Sequence, residues 1–294
     1  MHPRHRLALM LACGLLLIAG AWGYRRFWVD LPIGQGPTGP AVPRDGFQRV
    51  WTDRPVLLLG LGDGVTEGDA VAYSRSYFCR VARNPQDESA PMRGICLANV
   101  LPNLRVYNRA LAGATSIHLI DKQARLLPKQ VREVLGLVLL TTGGNDLALC
   151  GEPTVVADPI AGFNQRLEAL LPLLDQKFPG GFMVFLGNLL DPTDGVGDFE
   201  NTGLPTIPEG LFRLHQLNDA IARFAERHDH VYLVDLHSAF LGHGVHCAKF
   251  WAPHYRESDP YHWYAENLEQ PNERGADAAR RLFLLEIARV LGPG

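Results

Sequence analysis

The sequence predicts an α/β domain of three layers, with a five-stranded parallel sheet between two layers of helices. Two observations carry this prediction. Five short runs are continuously apolar, as strands are when both of their faces are covered. Longer amphipathic stretches alternate with them, as crossover helices do. A composition of 47 % hydrophobic and 20 % charged residues belongs to a globular chain, not a disordered or fibrous one.

In chain order, the strands fall at 56–60 (VLLLG), 105–108 (RVYN), 137–141 (LVLLT), 182–186 (FMVFL) and 231–235 (VYLVD). Helices are predicted over 74–83, 116–127, 160–178, 211–228 and 272–291. In the third, Phe163, Leu167, Leu170, Leu171 and Leu174 recur at helical spacing, and in the last Ala278, Leu282 and Leu285 do so. No segment repeats another.

Ahead of the sheet lie two segments of different composition. Arg4 and Arg6 precede an uncharged stretch at 7–24, near the lower limit of the roughly 17–25 residues that span a bilayer. Ala19-Gly20-Ala21 resembles a signal-peptidase site, whereas Trp22, Tyr24, Phe27 and Trp28 beside Arg25-Arg26 read as an interfacial belt. Residues 1–30 are therefore read as a cleaved signal peptide or an uncleaved single-pass anchor, and the protein as exported: periplasmic, extracellular or membrane-tethered. Residues 31–46 (LPIGQGPTGPAVPRDG) hold four Pro and four Gly, which sustain neither helix nor paired strand. They are read as a tether, with the folded domain over 47–294.

The net charge is −3, and the four Arg and one Asp of residues 1–30 leave −6 on the remainder. An acidic body without a basic run argues against nucleic acid as a partner. In an oxidising compartment Cys79, Cys96, Cys150 and Cys247 allow three pairings. Cys79–Cys96 with Cys150–Cys247 is preferred, four free thiols being the alternative, and their spacing matches no zinc site.

Ligands of parallel sheets bind at the carboxyl ends of the strands, where this chain concentrates its unusual residues. After the first strand comes Gly60-Leu61-Gly62-Asp63-Gly64-Val65-Thr66-Glu67-Gly68; Val65 stands where a dinucleotide fingerprint needs Gly. After the second comes Asn108-Arg109-Ala110-Leu111-Ala112-Gly113-Ala114-Thr115-Ser116, and after the third Thr142-Gly143-Gly144-Asn145-Asp146. Asp259-Pro260-Tyr261-His262 stands before the last helix.

In this order the four blocks resemble the SGNH/GDSL hydrolase family over about 55–290. The resemblance implies a flavodoxin-like sheet and ester hydrolysis. Gly62-Asp63-Gly64-Val65-Thr66 sits where the family has Gly-Asp-Ser with a Thr two residues on. Gly113 matches its second block, Gly143–Asp146 its Gly-x-Asn-Asp block, and Asp259 and His262 its Asp-x-x-His. By this carry-over His262 is the base and Asp259 holds its tautomer. The N–H groups of residues 64 and 113 and the Asn145 side-chain amide form the oxyanion hole.

Two departures qualify this. The nucleophilic Ser is replaced by Gly64, which closes the acyl-enzyme route at that position and leaves about 10³–10⁴-fold over water. Thr66 and Ser116 are the nearby hydroxyls, better read as a turn hydroxyl and a helix cap. The family also follows its His with Pro-Asn and then a Gly. Here Trp263-Tyr264-Ala265-Glu266-Asn267-Leu268-Glu269-Gln270 intervene before Pro271-Asn272-Glu273-Arg274-Gly275. Rival bases are His237, His243, His246 and His254.

The aromatic residues of 250–264 (Phe250, Trp251, Tyr255, Tyr261, Trp263, Tyr264) are read either as a pocket wall or as ordinary packing of a long loop. The acidic stretch 191–198 fails an EF-hand count because Thr202 falls at position twelve, and is read as a polar loop rimming the site. No cofactor and no metal are expected. The partner is a small ester or an acylated carbohydrate or lipid, with the membrane reached through the N-terminal segment if uncleaved. The sequence thus predicts an ester hydrolase, esterase or deacylase, impaired or inactive at Gly64; the alternative is a non-catalytic protein that binds an acylated or carbohydrate ligand.

Overall fold

The computed structural model describes residues 3–293 except 153, 156 and 205, and omits the side chains of 3, 4, 6–9 and 201. The strands β1 (Val56–Gly62), β2 (Leu104–Asn108), β3 (Leu135–Thr141), β4 (Phe182–Gly187) and β5 (Val231–Val234) form one sheet in the order β2-β1-β3-β4-β5. Every neighbouring pair is parallel. The helices are α1 (Pro3–Tyr24), α2 (Gly64–Glu67), α3 (Tyr77–Ala82), α4 (Leu97–Val100), α5 (Ser116–His118), α6 (Gly144–Leu149), α7 (Phe163–Lys177), α8 (Gly210–Arg227), α9 (Leu236–Phe240) and α10 (Glu273–Leu291).

The apolar runs are buried on both faces because successive strand side chains point to opposite sides. Val56 and Leu58 of β1, with Leu137 and Leu139 of β3, enter a core with Tyr77 and Phe78 of α3 and Phe283 and Ile287 of α10. Leu57, Leu59 and Leu61, with Val138 and Leu140, enter a second core with Leu167 and Leu174 of α7 and Leu214 and Ile221 of α8. Tyr77 stacks on Phe283 at 4.7 Å, which fixes α3 against α10. The outermost strand β2 is less covered than its apolar run suggested, with Val106 and Tyr107 exposed, because an edge strand has a neighbour on one side only. The connection order reverses between β1 and β3, and that switch point is where such sheets bind ligands.

Two predicted helices are broken. Over 74–83 a 3₁₀ turn (Tyr73–Arg75) precedes α3, whose cap Ser76 accepts the Cys79 N–H. Over 116–127, α5 passes into a π-helical turn (Leu119–Ala124).

The segment 31–46 is a strap and not a free tether. It forms no strand, as its Pro and Gly content requires. It is nevertheless bonded to the start of α10: the Thr38 N–H donates to Asp277 (3.0 Å), Arg274 donates to the carbonyls of Gln35 and Gly36, and Arg281 to that of Pro40. The described cysteines are all free, so neither preferred disulfide forms. Among the described residues no helix is long and apolar enough to cross a membrane. The side chains at 7–9, part of the predicted apolar stretch, lie outside the description.

Candidate active site

The loops after β1, β2 and β3 meet at the switch point. Gly62 adopts φ +106°, and a Cβ there would stand 1.7 Å from the Thr141 carbonyl, so only glycine fits. The Gln123 side chain locks this turn by bonding both the N–H and the carbonyl of Gly62, each at 2.7 Å. Asp63 then caps α2, accepting from the Val65 N–H (3.2 Å) and the Thr141 hydroxyl (2.6 Å). Burial pushes its carboxyl up to about 7, against the pull of the Thr141 bond.

The second loop is held by the third. Asp146 of α6 accepts the N–H and hydroxyl of Ser116 (2.8 and 2.5 Å), Arg166 donates to the same hydroxyl (2.6 Å), and the Asn145 amide donates to the Ala114 carbonyl (3.0 Å). Gly113 is thereby fixed at φ +73° with open space around it. Among the described residues neither the Gly64 nor the Gly113 N–H has a partner. Gly64, Gly113 and Asn145 line one cavity of about 100 Å³, whose far wall is apolar: Leu147, Leu189, Phe199, Ile207, Leu214 and Leu268 among others.

The structure brings those three residues together and does not bring Asp259 and His262 to them. The Asp259 carboxylate pairs with Arg274 (2.7 Å) and accepts the Thr38 hydroxyl (2.6 Å). His262 is buried. Its Nδ1–H donates to the Gly244 carbonyl (3.0 Å) and its backbone N–H to the Pro32 carbonyl (2.8 Å). Burial lowers its pKa, which keeps the ring neutral. The expected acid–base pair is therefore not formed: Asp259 pins the 31–46 strap through Thr38 and Arg274, and His262 is a packing residue.

The rival histidines are also elsewhere. His237 bonds the Leu189 carbonyl, His243 stacks on Trp263 at 3.5 Å, His246 bonds Asp198, and His254 lies over Gly195. Among the described residues no histidine lines the cavity. The candidate hydroxyls are likewise engaged: Thr66 is buried between Tyr77 and Thr141, both at 2.7 Å, and Ser116 is tied to Asp146.

Gln270 occupies the space facing Gly64. A Cβ on residue 64 would stand 2.5 Å from Gln270 Nε2. The Ala70 N–H donates to Gln270 Oε1 (3.3 Å), which turns the NH₂ of the amide toward Gly64. The inserted stretch is a hairpin that delivers this residue: Tyr264 and Pro271 pair antiparallel, the Ala265 N–H donates to the Gln270 carbonyl (2.8 Å), and Leu268 turns the chain at φ +58°. Asn267 Oδ1 accepts the Gln270 N–H at 3.3 Å. The signal for Gln270 was in the sequence. It immediately precedes Pro271-Asn272-Glu273-Arg274-Gly275, the place where the family pattern puts His. Asn267, three residues earlier, holds the place of the Asp.

Two further expectations are corrected. The aromatic stretch is not a cavity wall: Trp263 and Tyr264 pack on Phe240 in the core, and Phe250 and Trp251 lie outside against Phe27 and Trp28. In the acidic loop, Asp191 accepts from Thr193 and Gly195, and Asp194 accepts the N–H groups of Gly242, Gly244 and His246 at 2.7–2.9 Å. Burial still raises Asp194 to about 6. These carboxylates anchor backbone, and only Pro192 of this stretch reaches the cavity.

The structure is similar to an extracellular lipase from Streptomyces rimosus at 15 % identity, covering 79 % of this chain and 98 % of that one with a TM-score of 0.48. It is similar to phospholipase A1 from Streptomyces albidoflavus NA297 at 18 % identity, covering 82 % and 100 % with a TM-score of 0.46. It is also similar to Axe2, an acetylxylan esterase from Geobacillus stearothermophilus, at 16 % identity, covering 80 % and 94 % with a TM-score of 0.49. No curated protein matches the chain. The family profile described as GDSL-like Lipase/Acylhydrolase matches residues 61–278, nearly three quarters of the sequence, and the chain belongs to that family.

Proposed function

We propose that this chain is a non-catalytic member of its family, which holds the short acyl group of an ester in the cavity and does not turn it over by the serine route. One observation carries the reading: the space that a side chain on residue 64 would enter is filled by the Gln270 amide, not by a hydroxyl and an imidazole. Ester hydrolysis by this fold needs a nucleophile and a base that receives its proton. Gly64 supplies no hydroxyl, and an amide accepts no proton near neutral pH. What remains is a set of donors. Gly64, Gly113 and Gln270 line the same largely apolar cavity, and their N–H groups would suit a carbonyl oxygen carried by a short alkyl chain. Export, with α1 as signal or anchor, is part of the same proposal. It is supported by the apolar side chains from Met10 to Tyr24 that α1 leaves exposed.

The test uses methyl butyrate as ligand and p-nitrophenyl butyrate as substrate. Saturable thermal stabilisation by methyl butyrate, lost in Leu147→Trp, is expected, with p-nitrophenol release at the rate of buffer. Turnover that disappears in Asp63→Asn would contradict the proposal. It would assign hydrolysis to a water activated by the Asp63 carboxyl beside Gly64.

A further inference from the structure

Outside the cavity, the most unusual surface lies where the end of α1 meets the loop 245–254. Phe27 contacts Trp251 at 5.0 Å and Phe250 at 6.1 Å, Trp28 contacts Trp251 at 5.6 Å, and Phe250 and Trp251 meet edge to face at 4.8 Å. Four aromatic rings from chain segments over two hundred residues apart thus form one cluster. The cluster is not a buried core: Trp28 is 59 % exposed, Phe250 66 % and Trp251 49 %. Cations frame it. Lys249 lies 5.3 Å over the Trp28 ring, Arg26 lies 5.7 Å over the Phe27 ring, and Arg25 stands at the edge paired with Asp30.

We propose that this cluster is a membrane-docking surface of the folded domain, with an anionic bilayer as its occupant, so that Phe250 and Trp251 enter the headgroup region together with Trp28. Three features select a bilayer over a protein. The patch is continuous with α1, where Leu15, Leu16, Leu17 and Ile18 are each at least 68 % exposed. Four successive helical positions face all sides of the helix, and a lipid phase covers every side at once while a groove covers one. Exposed Trp beside Arg and Lys at the end of an apolar helix is the composition of the membrane interface. The cations, with Asp30 the acid paired at the edge, match an anionic lipid surface.

The loop that carries Phe250 is not free to retract. The Val245 N–H donates to the Pro192 carbonyl (2.9 Å), Asp194 holds the N–H groups of Gly242, Gly244 and His246, and Lys249 donates to His246 Nδ1 (2.6 Å). The surface is therefore preformed, and docking does not have to order the loop. The inference is independent of what the cavity binds.

The experiment reconstitutes the full chain into phosphatidylcholine–phosphatidylglycerol vesicles whose acyl chains are brominated, and compares it with Trp251→Phe. Trp51 and Trp263 lie in the domain body, so Trp22, Trp28 and Trp251 are the exposed indoles. Trp251→Phe is expected to remove about a third of the bromolipid-quenchable emission, one indole of three at the interface. The loss should shrink when phosphatidylglycerol is omitted. A Trp251→Phe chain that loses emission but none of the quenchable part would overturn the proposal and leave the cluster to a protein partner or to simple packing of residues 27–28. Unchanged far-ultraviolet circular dichroism of the variant guards against misfolding.

Discussion

The two walls of the cavity tell different stories. On the strand side, side chains hold the turns after β1, β2 and β3: Gln123 on Gly62, Asp146 on Ser116, Asn145 on Ala114. On the opposite side, the hairpin 264–271 sets the Gln270 amide against Gly64, and Asp259 and His262 bond to the 31–46 strap and the residues that hold it. Donors made of backbone depend on the whole turn and persist with the fold. Acid–base function resides in two or three side-chain atoms and is lost by substitution without disturbing it. On the proposed function, the difference is what would let binding outlast catalysis in one fold.

The largest stability effect is expected on the strand side, at Asp63. Below about pH 4 its carboxyl is protonated in both the folded and the unfolded chain. As pH rises toward 7 the unfolded chain releases the proton and the folded chain keeps it, so the folded state loses stability across that window. With the carboxyl raised from 3.8 to about 7, the loss is on the order of 4 kcal/mol. Asp63→Asn abolishes this slope. Urea unfolding of both proteins at pH 4 and pH 8 should show the variant gaining on the wild type at the higher pH. A pH-independent difference between them would mean an ionised Asp63 in the native cavity.

A smaller effect is expected on the other wall. Asp259→Asn leaves Arg274 without its carboxylate and weakens the hold on Thr38, at about 1–3 kcal/mol. A thermal melt should fall by several degrees, while methyl butyrate binding is unchanged. Loss of binding at unchanged stability would return Asp259 to the site. Smaller still is Gly113→Ala. Its Cβ meets nothing within 4 Å, so only the φ of +73° is strained, at about 1–2 kcal/mol. A melt unchanged within error would show that the loop relaxes to another conformation.

Much of this molecule was legible in its sequence. The five apolar runs gave the sheet because both faces of its central strands are covered, and the glycine, aspartate and asparagine residues after them marked the strand ends. The opposite wall was harder to read. Asp-x-x-His at 259–262 is a short pattern that eleven histidines make common by chance, and only the Tyr264–Pro271 pairing shows that the eight intervening residues fold back. The Pro and Gly of 31–46 excluded helix and strand, but said nothing of Arg274, Asp277 and Arg281, more than two hundred residues away, which hold that segment. Gln270 was legible, since it directly precedes Pro271-Asn272.

The most direct measurement is p-nitrophenyl acetate hydrolysis by Gly64→Ser alone and by the triple variant Gly64→Ser, Asn267→Asp, Gln270→His, each with and without His262→Ala. The single variant should stay at the level of the unaltered chain. The triple variant should gain about 10²-fold or more and keep that gain when His262 is removed. Activity of Gly64→Ser alone that vanishes with His262→Ala would contradict the assignment, and would make His262 the base after all.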